Sequence, residues 1–90
     1  MKLTEKMPIV NKLGLHLSAA AELVKVANKF KSHILITHGI QNVNAKSLMG
    51  LMTLAAARGT DLEFTADGED AKDAMAAIRQ LLANKFGEKE

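Results

Sequence analysis

The chain has no cysteine, no tryptophan, no tyrosine and a single proline. Without cysteine there is no disulfide framework, no thiolate nucleophile and no cysteine-based zinc site. That absence fits a reducing compartment. Three phenylalanines are the only aromatic residues, so the core must be aliphatic. Stacking platforms for single-stranded nucleic acid are missing. No apolar run approaches the roughly 20 residues of a membrane span. Met1 to Val10 does not read as a signal peptide, because Glu5, Lys6 and Pro8 interrupt it. An excess of one sign of charge is also lacking. Twelve Lys and Arg against ten Asp and Glu leave a formal net charge of +2, too little for an electrostatic footprint on nucleic acid. These absences lead to the expectation of a cytoplasmic protein with no nucleic-acid partner and no membrane insertion; a monomer is expected as well.

What is present is enough for one small core. Ninety residues with 48% hydrophobic content allow a single domain over 1–90. A chain of this size buries only roughly 60–65% of its unfolded surface, so nearly every apolar stripe must contribute. Leu3 to Val10 places Leu3, Met7 and Ile9 at alternating positions and predicts a strand, with Pro8 turned away from any neighbour. Asn11 to Gly14 reads as a loop. From Ser18 to Phe30, Ala20, Leu23, Val24, Ala27 and Phe30 fall on one helical face, with Ser18 as the expected N-cap. His33 to His38 and Ile40 to Asn44 predict a hairpin around Gly39.

Ser47 is the next expected cap, opening a short helix with Leu48, Leu51, Met52 and Ala55 on one face. Gly59 is expected just past its end, with Arg58 near the negative pole. Thr60 to Ala66 alternates with Leu62, Phe64 and Ala66 on one face. Asp67-Gly68 is a turn, and a last helix is expected over Glu69 to Asn84. Its acids Glu69, Asp70 and Asp73 fall in the first turn, and its basics Arg79 and Lys85 near the end. Gly87 to Glu90 are expected to fray. The order is βαββαβα, and the economical α+β architecture is a four-stranded antiparallel sheet with three helices on one face.

Three histidines are the only side chains that titrate near neutrality. His33 and His38 lie five apart on one strand, point to opposite faces and cannot share a metal. They read as surface residues. No spacing of His, Asp and Glu resembles a metal site, and no glycine-rich phosphate loop exists. His16 differs in position. It follows a glycine-containing loop and immediately precedes a helix, whose start offers unpaired N–H groups and positive partial charge. A phosphoryl group carried on its imidazole would meet donors already oriented.

The run Gly14-Leu15-His16-Leu17-Ser18-Ala19-Ala20 resembles the active-site loop of the HPr family, phosphocarriers of the bacterial phosphoenolpyruvate-dependent sugar phosphotransferase system. That family reads Gly-Leu-His-x-Arg-Pro-Ala. The run Asn44-Ala45-Lys46-Ser47-Leu48-Met49-Gly50-Leu51-Met52 resembles the family's regulatory serine segment. Gly59-Thr60, the strand after it and Ala66-Asp67-Gly68-Glu69-Asp70-Ala71 resemble its last strand and last helix. The resemblance implies an open-faced βαββαβα sandwich. It implies a carrier that takes phosphate on His16 from phosphoenolpyruvate-charged enzyme I and hands it to an enzyme IIA-type acceptor, with no turnover of its own, no cofactor and no metal. Ser47 becomes a candidate regulatory site for an HPr serine kinase. Leu48, Met49 and Met52 become a candidate docking patch for partners.

The sequence departs from the family where it matters. Ser18 stands in place of the family's Arg, and Ala19 in place of its Pro. A guanidinium offers a charge-assisted bidentate fork to phosphate, and a hydroxyl offers one neutral bond. The loss of a charge-assisted donor amounts to about 1.5–3 kcal/mol, or roughly one to two powers of ten in rate. Lys12 and Lys46 are the cations that could substitute. The departure also supports an alternative, a regulatory HPr-like module with weak or no phosphotransfer that acts by docking to a target protein.

Overall fold

Period-two alternation of apolar residues becomes a sheet with one dry face. In the computed structural model, which describes residues 1–90, strand β1 spans Lys2–Pro8, helix α1 Leu17–Ala27, β2 His33–His38, β3 Gln41–Asn44, α2 Leu48–Thr53, β4 Asp61–Asp67 and α3 Ala71–Ala83. A short 3-10 turn follows at Lys85–Gly87. The strands form one antiparallel sheet in the order β1-β4-β2-β3. Central β4 pairs with β1 (Met7 opposite Leu62) and with β2 (Ile36 opposite Phe64). Its inward residues Leu62, Phe64 and Ala66 are fully buried, as are Ile34 and Ile36 of β2. The other face stays open, with Leu35 on it exposed. Pro8 ends an edge strand, where its missing N–H disturbs no second ladder.

The helices close the dry face. Helix α3 packs on β1 and β4, and α1 packs against α2 and α3. Small buried residues, Ala19, Ala20 and Ala27 on α1 and Ala71 and Ala74 on α3, permit close approach. Leu23, Leu51 and Ile78 supply the bulk, each worth about 1.5–3 kcal/mol of burial.

Several boundaries differ from the sequence expectation, each because tertiary contacts claim the residue. Helix α1 begins at Leu17, and its N-cap is His16 rather than Ser18. It stops at Ala27, with Asn28 as C-cap, so Phe30 lies in the turn beyond. Helix α2 ends at Thr53, where Ala55 adopts φ 47° and bends the chain so that Leu54 and Ala56 are buried. Gly59 therefore serves not that helix but the turn into β4, where its N–H donates to the Ile9 carbonyl at 2.7 Å.

Asp70 precedes α3 but caps nothing with its side chain. Its carboxylate accepts from the Ser32 hydroxyl at 2.5 Å and from the backbone N–H groups of Lys31 and Ser32 at 2.8 and 3.0 Å. Those bonds, the Ser32 hydroxyl foremost, hold it below the usual carboxylate range. Arg79 turns from the helix end to β1 and forms a two-bond fork on Glu5 at 2.9 and 2.7 Å. Ser47 caps as expected, accepting from the Gly50 N–H at 3.0 Å.

The tail does not fray. Lys85, Phe86 and Gly87 take φ values of 57°, 57° and 85°, which reverse the chain. A left-handed conformation costs a non-glycine residue about 1–2 kcal/mol. Here burial of the Phe86 ring offsets it. Residues 88–90 consequently lie across the loop before α1, where the Lys12 N–H donates to the Glu90 carbonyl at 2.6 Å.

Candidate functional site

The site is assembled from a loop, a helix start and this returning tail. Asn11 is fully buried, and its Nδ2 donates to the Gly14 carbonyl at 2.8 Å and to Glu88 Oε1 at 2.9 Å. Gly14 holds φ +68°, and a Cβ there would lie 2.5 Å from the Ala56 carbonyl oxygen. Only glycine fits this approach. The next residue, Leu15, is buried and donates to the same oxygen at 2.8 Å. The loop is thus clamped onto the segment that Ala55 redirected, and the clamp delivers His16 to the N-cap with φ −79° and ψ 179°.

At that position the first intrahelical bond runs from the Ala20 N–H to the His16 carbonyl at 2.8 Å. The N–H groups of Leu17, Ser18 and Ala19 have no intrahelical acceptor and create positive potential around the imidazole. The ring is about one-third exposed, and its Nε2 lies 2.5 Å from Glu88 Oε2. An ionised carboxylate only accepts, so this contact places the ring proton on Nε2. Nδ1, covalently nearer the backbone, has no hydrogen-bond partner. Burial alone would raise the Glu88 carboxyl. The hydrogen bonds from Asn11 and His16 and the charge of His16 outweigh it and hold Glu88 below its ordinary value.

Beside the ring lies an open cavity of about 420 Å³, whose wall includes Lys12, Leu13, Ser18, Glu88 and Lys89. Ser18 lines it as the second residue of α1, with a hydroxyl that makes no hydrogen bond. Of the two cations that could replace the family's Arg, Lys12 reaches the cavity but pairs with Glu90 at 3.3 Å. Lys46 is held elsewhere, donating to the Phe30 carbonyl at 2.7 Å. Lys89 is a cation that spacing could not suggest.

A second, shallow apolar depression lies alongside, lined by Leu17, Leu48, Met49, Met52 and Thr53. Met49 is 82% exposed, and Leu48 and Met52 are more than one-third exposed. The three candidate docking residues share one surface. Leu17, the residue after His16, joins them and connects the two features. Ser47 caps the helix that carries this patch. His33 and His38 stand exposed on β2, apart from both features.

An open-faced sandwich with one imidazole set at a helix N-terminus, its Nδ1 without a hydrogen-bond partner, presents a class of site suited to an anionic group. Comparison with known proteins narrows the class to a family. Residues 3–84 match the family model described as the PTS HPr component phosphorylation site. The phosphocarrier protein HPr of Neisseria meningitidis serogroup A is 46% identical over 88 residues, covering 98% of this chain and 99% of the relative. That of Xylella fastidiosa strain Temecula1 is 44% identical over 86 residues, covering 96% and 97%. Among solved structures, HPr-C-His from Thermoanaerobacter tengcongensis superposes with a TM-score of 0.93 at 39% identity, covering 98% of this chain and 99% of its own. The chain belongs to the HPr family of phosphocarrier proteins of the phosphotransferase system.

Proposed function

We propose that His16 is the phosphate-accepting residue, charged by enzyme I at the expense of phosphoenolpyruvate and discharged to an enzyme IIA-type acceptor in the cytoplasm. The observation that carries this reading is the N-cap placement of His16 at the start of α1, with an Nδ1 that has no hydrogen-bond partner. A helix start offers N–H groups without intrahelical acceptors, which favour a phosphoryl group carried there. The apolar surface of Leu17, Leu48, Met49 and Met52 lies where a partner that approaches His16 would press. Methionine suits a face that serves several partners, because its flexible thioether adapts to different surfaces. Ser47, at the edge of that face, is the regulatory position for an HPr serine kinase.

Ser18 and Ala19 favour a second reading, a docking module that transfers phosphate slowly. One experiment separates the two. The protein is incubated with enzyme I and labelled phosphoenolpyruvate, and acid-labile label is followed by mass spectrometry. A carrier takes label on His16, and His16→Ala takes none. Undiminished labelling of His16→Ala overturns the assignment. Absence of label on the parent leaves the docking reading.

A further inference from the structure

We infer that Glu88 is a positioning residue for phosphotransfer: from the returning tail it anchors the His16 ring through Nε2–H and balances the positive charge the ring acquires when Nδ1 is phosphorylated. The inference rests on the carrier reading of His16 and adds to it a residue 72 positions away in the chain.

The geometry is specific. Glu88 Oε2 meets Nε2 at 2.5 Å, while Oε1 is held by Asn11 Nδ2 at 2.9 Å. Asn11 is fully buried and also braces the Gly14 carbonyl, so the carboxylate is oriented by the same loop that places His16. Other charged groups face the ring across the cavity. Lys12 and Glu90 pair with each other at 3.3 Å, and Lys89 lines the wall. Glu88 is the carboxylate that contacts the imidazole itself. A carboxylate against one ring nitrogen sets the tautomer and leaves the other nitrogen with a free lone pair.

The transfer then needs no proton to move. The Nδ1 lone pair attacks phosphorus of the phosphorylated donor protein. The N–P bond forms as the bond from phosphorus to the donor breaks, and that electron pair leaves with the donor. The ring keeps its Nε2 proton and becomes cationic against the Glu88 carboxylate. In the onward step the acceptor's lone pair attacks phosphorus, the Nδ1–P bond breaks, and its electrons return the ring to the neutral Nε2–H form. Without Glu88 the ring is free to rotate, and its charge in the phosphorylated state faces no carboxylate.

The test compares the parent with Glu88→Gln, Glu88→Ala and, as a remote charge-matched control, Glu69→Gln at an exposed position. Proton–nitrogen NMR of the unphosphorylated proteins should show a slowly exchanging His16 Nε2 proton in the parent and in Glu69→Gln. The resonance should move upfield in Glu88→Gln and disappear by exchange in Glu88→Ala. With enzyme I and phosphoenolpyruvate, kcat should fall roughly tenfold in Glu88→Ala and less in Glu88→Gln, at unchanged KM for the carrier. An unaltered Nε2 signal in Glu88→Ala overturns the proposal. Unchanged kcat in that variant, or a rise in KM alone, also overturns it, because Glu88 would then be only a tail contact or a docking group. A parent that takes no label overturns the carrier reading and this proposal with it. A parent and a Glu88→Ala labelled at equal rates overturn this proposal alone.

Discussion

At the scale of single residues, the site is unusual for the side chain beside its histidine. Ser18 lines the cavity with an unengaged hydroxyl, and the cations within reach do not reproduce a guanidinium. Lys12 is tied to Glu90, and Lys46 to the Phe30 carbonyl. Ser18→Arg should therefore restore a charge-assisted contact to phosphate. The expected outcome is roughly tenfold or more faster transfer, or a correspondingly longer-lived phosphohistidine. Stopped-flow transfer from enzyme I and the decay of the phosphorylated protein measure it. If neither changes, Lys89 or the first-turn N–H groups already supply what the arginine would.

His16 was legible because it stands between a glycine loop and an amphipathic helix, a local pattern. Ser18 as a cap was a local misreading. Serine is the better capping side chain, yet the clamp of Gly14 and Leu15 on Ala56 starts the helix one residue earlier and leaves the histidine at the boundary.

At the scale of elements, α2 and its N-cap Ser47 set a helix start directly beside the exposed apolar side chains of Leu48, Met49 and Met52. Ser47 accepts from Gly50 N–H, and aspartate is an equally good N-cap. A negative charge at a helix start is favourable by about 0.3–1 kcal/mol. Ser47→Asp should thus leave the melting temperature within the roughly 4–8 °C that 1 kcal/mol produces in a domain of this size. Affinity for enzyme I should nonetheless fall, because a hydrated charge now interrupts the surface of Leu48 and Met49. Calorimetry and titration binding on parent and variant check both statements. A large loss of melting temperature would make Ser47 chiefly a structural cap. Unchanged affinity at unchanged stability would place docking on another face.

The returning tail is the element that local reasoning missed. Lys85 and Phe86 carry no preference for positive φ, so nothing in their sequence announces a reversal. The reversal exists because Phe86 is buried and Glu88 finds Asn11 and His16.

At the scale of the whole molecule, three hydrogen-bonded carboxylates tie the elements together, besides the exposed Lys12–Glu90 pair. Glu5 receives the Arg79 fork and joins β1 to α3. Asp70 receives Ser32 and Lys31 and joins α3 to the turn before β2. Glu88 joins the tail to the loop before α1. Each carboxyl lies below its ordinary value: Glu5 chiefly through the Arg79 hydrogen bonds, Asp70 through the Ser32 hydroxyl, and Glu88 because its bonds from Asn11 and His16 outweigh its burial. A carboxyl depressed in the folded state contributes stability that is complete above its unfolded value, 4.5 for the glutamates and 3.8 for the aspartate. That stability is lost as pH falls through the folded value. The melting temperature should accordingly stay level toward mild acid and begin to drop as pH falls below about 5, through the depressed folded values. Asp70→Asn should flatten that drop. Thermal unfolding of parent and variant across the range checks it, and identical pH profiles would remove Asp70 from the account.

Much of the architecture was determined by the sequence alone, because it depends on periodicity. Leu62, Phe64 and Ala66 could lie only on one face of a strand, and Ala20, Leu23 and Ala27 only on one face of a helix. One small aliphatic core admits few ways to stack them. The place of His16 was determined the same way, by what immediately precedes and follows it. Tertiary structure alone decided what surrounds that histidine. Leu17 joined Leu48, Met49 and Met52 only when α1 packed against α2. Lys46 donates to the Phe30 carbonyl and does not line the site. Glu88 reached the imidazole only after Lys85, Phe86 and Gly87 reversed the chain. Periodicity is a property of neighbours a few residues apart, whereas these contacts join residues whose proximity arises only when the helices settle on the sheet.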